Sequence, residues 1–514
     1  MRNSAIPPSR HRVRFQCQHK LQHRDISSHG GRSWVARPRG QCTSGNGTPR
    51  AENGRTAHRC FDSVPPREFP TILNVDTRTL RIALLVTVVV LVLPLASGFV
   101  THHDPTDTSG PVNRTDAPRN PGQSPGHLAY VVDAAGPGQL TVVNRTTGET
   151  VFKTTEHELY HDADPSPAGE TTLMYVASDV RGEAVCPDRL KTPCTHNVIE
   201  RVNYSTGETE RLYGRFLNYS GSSQTHDVDR ISDTKYLVGD IKFDRIFVVN
   251  VRTDTIEWTW NASSAFDPSS GGKSGDWTHL NDVEVLSEDL YMVNLRNQDR
   301  VAFVHRDRGL LENWTLGAED DYDTLYEPHN PDYIPAENGG PAILIADSEN
   351  NRIVEYQRRN GTWNRTWTWT DETLQWPRDA DRLPNDNTLI VDTHGTRILE
   401  VRPNGTIARE LSVPRGVYDA ELLSTGPEST GGHSMARIRG GANETDVSSV
   451  QGTERIQKAF LDLFPALVLH GFLFVLPTWV SPLAGALLLL DLIVVVLWIV
   501  GEGLRVAVIW WRRE

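Results

Sequence analysis

Short runs of β-branched and aromatic residues alternate with turns rich in Gly, Asn and Asp through the middle of the chain, without a long helical period. Such runs are typical of β-strands bounded by turns. Four stretches share one order: strand, turn ending in Arg, strand, polar turn, strand. They read "KYLVGDIKFDRIFVVNVRTDTIEWTW", "LYMVNLRNQDRVAFVHRDRGLLENWTL", "AILIADSENNRIVEYQRRNGTWNRTWTW" and "TLIVDTHGTRILEVRPNGTIAREL". The pattern predicts a repeating β-fold.

A second pattern accompanies the strands, in which a short segment opens on His, Arg or Tyr and continues with acids. Its six copies are "HDADPSP" at His161, "HDVDRIS" at His226, "HLNDVEV" at His279, "HNPDYIP" at His329, "RDADRLP" at Arg378 and "YDAELLS" at Tyr418. Successive copies lie 40 to 65 residues apart. Four strands at about this period form a β-propeller blade, so six copies predict six blades.

The two ends of this region predict how the ring closes. Three candidate strands, "HLAYVV", "QLTVVN" and "ETVFK", precede the first copy, and a single strand follows Tyr418. Three N-terminal strands and one C-terminal strand complete a blade, and this closure removes a free sheet edge. We therefore expect an all-β, six-bladed propeller of four-stranded blades over residues 126–425.

Hydrophobic segments flank the predicted propeller. Residues 80–100 contain about 20 mostly apolar residues, enough for one transmembrane helix, although a cleaved signal sequence fits as well. Residues 461–511 contain two apolar halves, which predict a transmembrane helical hairpin. His470 and Asp491 lie inside this hairpin, and we expect them to pack against each other, with a functional role as the alternative.

The remaining segments lack the material for a core. Residues 1–79 mix Arg, Ser, Gly, Pro and His, which predicts a disordered basic leader, and a misassigned start codon would look the same. Residues 101–125 and 426–460 are predicted linkers. The basic flank before residue 80 favours an inside N-terminus, and so places the propeller on the extracellular side of the cell membrane.

Charge and composition narrow the class of protein. The net charge of −13 divides into +10 over residues 1–81 and −23 over the rest. An acidic body excludes nucleic acid as an expected partner, because phosphate contacts need Lys and Arg, and it fits a halophilic host. Ten Asn-X-Ser/Thr sequons between the hydrophobic blocks predict an exported glycoprotein. Cys186 and Cys194 in "CPDRLKTPC" suit a disulfide there, or an incidental pair of thiols.

The innermost strand of every propeller blade lines one central channel. If the six segments begin these strands, His161, His226, His279, His329, Arg378 and Tyr418 converge at one mouth of the channel. The acid three positions after each opening residue has a simpler interpretation, hydrogen bonding to a neighbouring blade. The opening residues vary between His, Arg and Tyr, which favours a functional role over a uniform structural one.

Several imidazoles, an arginine and a phenol in one pocket fit one kind of chemistry. A neutral imidazole is a nucleophile and a general base near neutral pH. Arg presents planar donors that suit a tetrahedral oxyanion. Together they predict transfer of an anionic group through a covalent histidine intermediate.

The run "THLNDVEVL…DLYMVNLRNQDRVAFVHR", with "THDVD" and "PHNPDYI", resembles the arylsulfotransferases (aryl-sulfate sulfotransferase, ASST), and their haloarchaeal members most in style. The resemblance covers roughly residues 125–425. It implies a six-bladed propeller that moves a sulfuryl group from a phenolic sulfate ester to a phenolic acceptor, without a nucleotide donor, metal or other cofactor.

The resemblance implies a role for individual residues of this sequence. It implies that His329 attacks sulfur and becomes a sulfohistidine. His279, Asn281 and Arg296 would hold the sulfuryl oxygens, and His226 would act as acid and base toward the phenolic oxygens. The chain lacks the N-terminal β-domain of well-known bacterial members, which leaves dimerisation and acceptor binding open.

His161 and Arg378 have no role in the resemblance. Together with Tyr418 they are predicted to line the channel and bind substrate. Two alternatives to sulfuryl transfer stay open. Four histidines around one axis could bind a metal, since His is the commonest ligand of this kind. A membrane-anchored propeller could also bind a partner without catalysis.

Overall fold

The computed structural model describes residues 126–133, 138–166, 170–371, 373–414, 416–427, 431–440, 445–448, 460–461, 463–476 and 480–511. The predicted basic leader, the first hydrophobic segment and the first linker lie outside these residues, as does much of the second linker.

Six antiparallel sheets form the body of the protein, numbered here as blades 1 to 6. Blade 1 contains β1 (His127–Val132), β2 (Gln139–Asn144) and β3 (Thr150–Thr154). Blade 2 contains β4 (Leu159–Pro165), β5 (Thr172–Arg181), β6 (Cys194–Asn203) and β7 (Glu208–Asn218). Blade 3 contains β8 (Thr225–Ser232), β9 (Lys235–Asp240), β10 (Arg245–Asn250) and β11 (Thr255–Asn261).

The later blades follow the same plan with short additions. Blade 4 contains β12 (Leu280–Ser287), β13 (Leu290–Leu295), β14 (Arg300–His305), β15 (Gly309–Leu310) and β16 (Leu316–Gly317). Blade 5 contains β17 (His329–Ile334), β18 (Ala342–Asp347), β19 (Arg352–Arg359) and β20 (Thr362–Thr370). Blade 6 contains β21 (Pro377–Arg382), β22 (Thr388–Asp392), β23 (Arg397–Val401) and β24 (Ile407–Ser412).

The ring closes through one further strand, β25 (Val417–Leu422). It pairs antiparallel with β1, with Leu422 opposite Leu128 and Val417 opposite Val132, and becomes the innermost strand of blade 1. The predicted six-bladed propeller and its closure by three N-terminal strands and one C-terminal strand are confirmed.

A recurring ion pair explains the turns that end in Arg. In blade 5, Arg352 begins the third strand and donates through Nε to Asp347 at the end of the second strand, at 2.6 Å. Arg397 and Asp392 repeat this bond in blade 6 at 2.7 Å. Between the two partners the chain makes a tight turn at the mouth where the innermost strands begin, so residues of this turn lie beside the channel.

The hydrophobic core is divided among the blades rather than concentrated in one place. Each apolar cluster of the propeller joins the facing surfaces of neighbouring sheets, as Leu140 of blade 1 and Tyr175 of blade 2 do. Such packing leaves the axis of the ring to the innermost strands, whose polar side chains therefore line the channel.

Part of the predicted second linker belongs to the propeller instead. Helix α1 (Met435–Ile438) packs on blades 5 and 6, with Met435 buried in their core. The Met435 N–H donates to Glu355 at 2.8 Å. The short strand β26 (Thr445–Ser448) adds to β20 in parallel. The linker prediction is wrong here, because a single buried Met gave no periodic signal.

The C-terminal hydrophobic block forms two helices of unequal length, α2 (Ala466–Val475) and α3 (Pro482–Trp511). Ten residues of helix measure about 15 Å, half of the roughly 30 Å of a bilayer core, so the predicted hairpin of two spans is wrong for its first half. Within the described residues, α3 is the single helix long and apolar enough to cross a membrane, by length and composition.

Helix α2 lies against the propeller. His470 Nδ1 is 2.8 Å from Glu349 Oε2 in blade 5, so His470 pairs with the propeller rather than with Asp491 as expected. Leu469 and Leu473 of α2 pack on Ala486 of α3. Helix α2 therefore connects the mouth of the channel to α3, the candidate membrane span.

Candidate functional site

The six opening residues of the repeated segments meet at one mouth of the channel. The rings of His161 and His226 stack with centroids 4.0 Å apart, and His279 meets His226 edge-on at 5.5 Å. The Tyr418 ring lies 5.7 Å from His161 and 6.1 Å from His329. With Arg378 of blade 6, side chains from all six blades thus surround one space.

That space is a cavity of about 360 Å³. Seven of the eight residues predicted from sequence to act on substrate line it: His161, His226, His279, Arg296, His329, Arg378 and Tyr418. The eighth, Asn281, lies outside this lining. It accepts a 2.6 Å hydrogen bond from Asn294, which also donates to the carbonyl of Pro328 at 2.5 Å. Asn281 therefore supports the chain just before His329, and its own Nδ2 is buried with no partner among the described residues.

The hydrogen bonds of His329 determine which ring nitrogen carries the proton. Nδ1 lies 3.1 Å from the Glu327 carbonyl and 2.8 Å from Ser348 Oγ. Ser348 donates its only hydroxyl proton to the Pro377 carbonyl at 2.6 Å, so it accepts from His329. Because both neighbours of Nδ1 are acceptors, Nδ1 is protonated and Nε2 keeps its lone pair.

The charge state of His329 suits a nucleophile. Burial lowers the pKa of His329 well below its usual value, and the nearby guanidinium groups of Arg378 and Arg296 lower it further. The imidazole is therefore neutral near pH 7, with a lone pair available on Nε2.

The imidazoles of His161 and His226 in the same cavity are also neutral near pH 7. Burial lowers the pKa of His226 well below its usual value, with His161 as the next cause. Burial likewise lowers the pKa of His161 to about 4, and neither of its ring nitrogens has a partner among the described residues. His226 Nδ1 lies 3.3 Å from the Tyr418 hydroxyl. Unsatisfied nitrogens in a buried cavity are available to hydrogen-bond a polar ligand or water.

His279 stands at the edge of the cavity in an unusual backbone conformation, with a φ of 45°. Its Nδ1 donates to Asp276 Oδ1 at 2.8 Å, which leaves Nε2 without the proton. Burial lowers the pKa of His279, and Arg296 lowers it further. A strained residue held by a carboxylate is typical of a functional position.

Two guanidinium groups supply positive charge. Arg378 donates to Asp133 at 2.7 Å and lies between two aromatic rings, 4.0 Å from the Trp376 centroid and 4.7 Å from that of Tyr418. Arg296 pairs with Glu327. In both arginines Nε is buried and meets no acceptor in the described part of the chain. Both therefore have donors left for an anion.

Below the cavity, the same innermost strands form a second ring, here called the acid ring. In each blade a carboxylate accepts a backbone N–H from the innermost strand of the next blade. The accepting carboxylates, from blade 1 to blade 6, are Asp419, Asp162, Asp227, Glu284, Asp332 and Asp379. Asp332 is an acid of the kind predicted to bond to a neighbouring blade, and its bond to the Arg382 N–H measures 2.9 Å.

The acid ring is protonated more readily than ordinary carboxylates. Burial raises the pKa of Asp227, Asp332 and Asp419 to about 7 in each case. Six or more buried carboxylates in one channel repel one another when charged, so they hold protons that exposed acids would lose.

The sequence prediction missed several residues of the site. Ser348 and Glu349 lie in the turn after the second strand of blade 5, at the positions that Arg296 and its neighbour occupy in blade 4. Aligning this turn between blades would have found them. The helix residues Leu467, Gly471 and Phe474 also line the cavity, and no repeat in the sequence indicated them.

Other features bear on the rival interpretations. Among the described residues, no group of three or more His, Cys, Asp or Glu side chains is arranged to hold a metal ion. Cys186 and Cys194 form a disulfide with Cα atoms 5.8 Å apart, which joins the loop after β5 to the first residue of β6.

No family model matches the chain, and no curated protein matches it. Solved structures do show similarity. A protein of unknown function from Bacteroides caccae is 12% identical and matches 58% of this chain and 98% of its own, with a TM-score of 0.39. The periplasmic gluconolactonase of Pseudomonas aeruginosa is 10% identical and matches 57% of this chain and 98% of its own, with a TM-score of 0.37. A virginiamycin B lyase of Staphylococcus aureus is 8% identical and matches 57% of this chain and 89% of its own, with a TM-score of 0.34. Similarity this low transfers no activity to the chain.

Proposed function

We propose that the protein is an arylsulfotransferase-like enzyme, which moves a sulfuryl group from a phenolic sulfate ester to a phenolic acceptor through His329. The observation that carries this proposal is the protonation pattern of His329. Its Nδ1–H is held by two acceptors, and its Nε2 lone pair belongs to a neutral ring in a cavity with two guanidinium groups.

In the first half of the reaction, Nε2 of His329 attacks sulfur. The S–N bond forms, the S–O bond to the donor breaks, and the ring becomes a sulfoimidazolium. The Glu327 carbonyl already accepts from Nδ1–H, so it stabilises the positive charge that develops on the ring. Arg296 and Arg378 bind the sulfuryl oxygens through their free N–H groups.

The proton of the phenol passes through His226. The sulfate anion that enters the cavity raises the pKa of this neighbouring imidazole, which can then protonate the leaving phenolate oxygen. In the second half, neutral His226 accepts the proton of the acceptor phenol while its oxygen attacks sulfur. The S–N bond breaks and His329 is restored.

We also propose that α3 anchors the propeller to the cell membrane, with the propeller outside. Eight of the ten sequon asparagines lie within the described residues, and none of them is buried. The disulfide suits an oxidising compartment as well.

The test uses the full chain in high salt with a chromogenic aryl sulfate, with and without a phenol. We expect phenol-dependent release of the chromophore and, without acceptor, a sulfated peptide that contains His329 by mass spectrometry. His329→Asn abolishes both, and His305→Asn on an outer strand abolishes neither. Specific binding of the aryl sulfate without release from either protein would instead show a binding propeller.

A further inference from the structure

Helix α2 forms one wall of the cavity that contains the imidazoles. Leu467, Gly471 and Phe474 line this cavity together with His329 and Arg378. The Phe474 ring meets Trp376 edge-on at 6.2 Å. One side of the mouth is therefore apolar, whereas the opposite side is made of nitrogen donors and acceptors.

The apolar wall continues from the cavity to the outside. Leu467 and Phe474 line the cavity and are still 50% and 48% exposed. Val468 and Val475 on the same helix are 50% and 73% exposed. Aliphatic side chains at the opening of a charged cavity bind an apolar group, since water gains nothing from contact with them.

The packing of α2 on α3 gives the direction of this path. Leu473 of α2 packs against Ala486 in the first turns of α3, the candidate membrane span. On its other side α2 is joined to the propeller by His470 and Glu349, 2.8 Å apart. The opening of the cavity thus lies beside the segment that would enter the bilayer.

We propose that the acceptor is a membrane amphiphile, namely a phenol with a long hydrocarbon chain, which enters along α2 from the bilayer. This inference rests on the proposed function. The phenolic head reaches His226 and His329, while the chain lies over Leu467, Gly471 and Phe474. Gly471 leaves room for the chain, because a Cβ at this position would meet no atom within 4 Å.

The test places the full-length protein in lipid nanodiscs with a chromogenic aryl sulfate and two acceptors, 4-ethylphenol and 4-dodecylphenol. We expect kcat/KM to be at least about tenfold higher for the long-chain phenol, since each buried methylene adds binding energy. Gly471→Leu fills the path and lowers the long-to-short ratio by about tenfold. The control is Gly501→Leu on α3, where a Cβ also meets no atom within 4 Å. The control should keep the wild-type ratio, because Gly501 does not line the cavity. Partition of the two phenols into lipid is the same for both variants and therefore cannot cause a difference between them.

A binding measurement separates this inference from the proposed function. Association of the two phenols with the His329→Asn protein is followed by tryptophan fluorescence, since Trp376 lies at the opening. Turnover with equal use of both phenols, or a ratio that Gly471→Leu leaves unchanged, overturns the amphiphile and leaves sulfuryl transfer standing. Absence of any turnover, with tight binding of 4-dodecylphenol that Gly471→Leu weakens, overturns sulfuryl transfer and supports the amphiphile site. Weak and equal binding without turnover overturns both.

Discussion

The cavity and the acid ring are built from the same six strands, yet they differ in how their polar groups are satisfied. In the acid ring, each blade offers a carboxylate to the backbone of the next blade, and the pattern repeats all the way round. In the cavity, the opening residues differ from blade to blade, and His161, Arg296 and Arg378 keep buried nitrogens without partners among the described residues. A carboxylate bond to the next blade that recurs in every blade indicates a structural role, whereas opening residues that vary and keep unpartnered nitrogens are suited to chemistry.

The largest expected effect is a difference in activity between variants at two residues of one strand. His329 and Asp332 both belong to β17. His329→Asn should lower sulfuryl transfer by at least about 10³-fold, because the nucleophile is lost. Asp332→Ala should leave kcat within a few fold and lower the Tm by about 2–6 °C, because the Arg382 N–H loses its acceptor. Kinetics and thermal unfolding of both variants measure the contrast. Loss of activity in Asp332→Ala with an unchanged Tm would contradict it.

A second prediction concerns the positive charge of the cavity. Arg378→Met should lower kcat/KM by about 10²-fold, as expected for one lost oxyanion donor. Arg378 lowers the pKa of His329, so its removal raises that pKa. The acid limb of the pH profile, where His329 becomes protonated, should therefore move to higher pH. The exposed Arg308→Met serves as control, and a profile shifted equally in both variants would speak against a local charge effect.

A third prediction asks whether His161 belongs with the chemistry. His161→Phe keeps an aromatic ring for stacking on His226 but removes two unsatisfied buried nitrogens. We expect transfer to fall by about tenfold and unfolding free energy to rise by about 1 kcal/mol, since a cost of burial disappears. Chemical denaturation and kinetics provide the two readouts. If stability falls while activity is retained, His161 has a structural role.

The smallest effect compares the pH dependence of the two regions. Buried acids with raised pKa bind protons in the folded state, so their contribution to stability is lost as pH rises through about 7. Imidazoles with lowered pKa act in the opposite direction, but only below their usual value of 6.5. Between about pH 6.5 and 8 the Tm should therefore fall by a few degrees.

Single variants assign this pH dependence. Asp227→Asn and Asp419→Asn should each reduce the slope of Tm against pH in this window, because an amide cannot lose the proton. The exposed Asp307→Asn should leave the slope unchanged. A Tm that rises between pH 6.5 and 8 would show that the acid ring is charged in the folded protein.

The sequence was enough to predict most of the propeller and part of the candidate site. The six opening residues were recognisable because they recur every 40 to 65 residues before a similar strand pattern and because innermost strands share one axis. The acid ring followed from the repeat only in part, because Asp332 is one of the acids three positions after an opening residue. The other accepting acids stand one or five positions after it: Asp162, Asp227, Glu284, Asp379 and Asp419. Aligning the turns of blades 4 and 5 would have found the position of Ser348, but not its role, because its hydrogen bonds to His329 and Pro377 exist only in the folded turn.

The C-terminal block shows where hydrophobicity alone misleads. Its first half was apolar enough to read as a membrane span, but as α2 it buries Leu469 and His470 against α3 and the propeller. A helix of ten residues and a helix that crosses a bilayer can have the same composition, and only the length of the helix and its partners distinguish them.

The seam between β25 and β1 also determines when the candidate site is first complete. The Tyr418 hydroxyl meets His226 across 192 residues of sequence, and this contact exists only after the last strand has joined the first blade. Contacts between such distant residues form late in folding, because the intervening chain must first be ordered. During synthesis the nascent chain therefore holds His329 in an incomplete pocket. Onset of turnover would mark the moment at which the ring becomes whole.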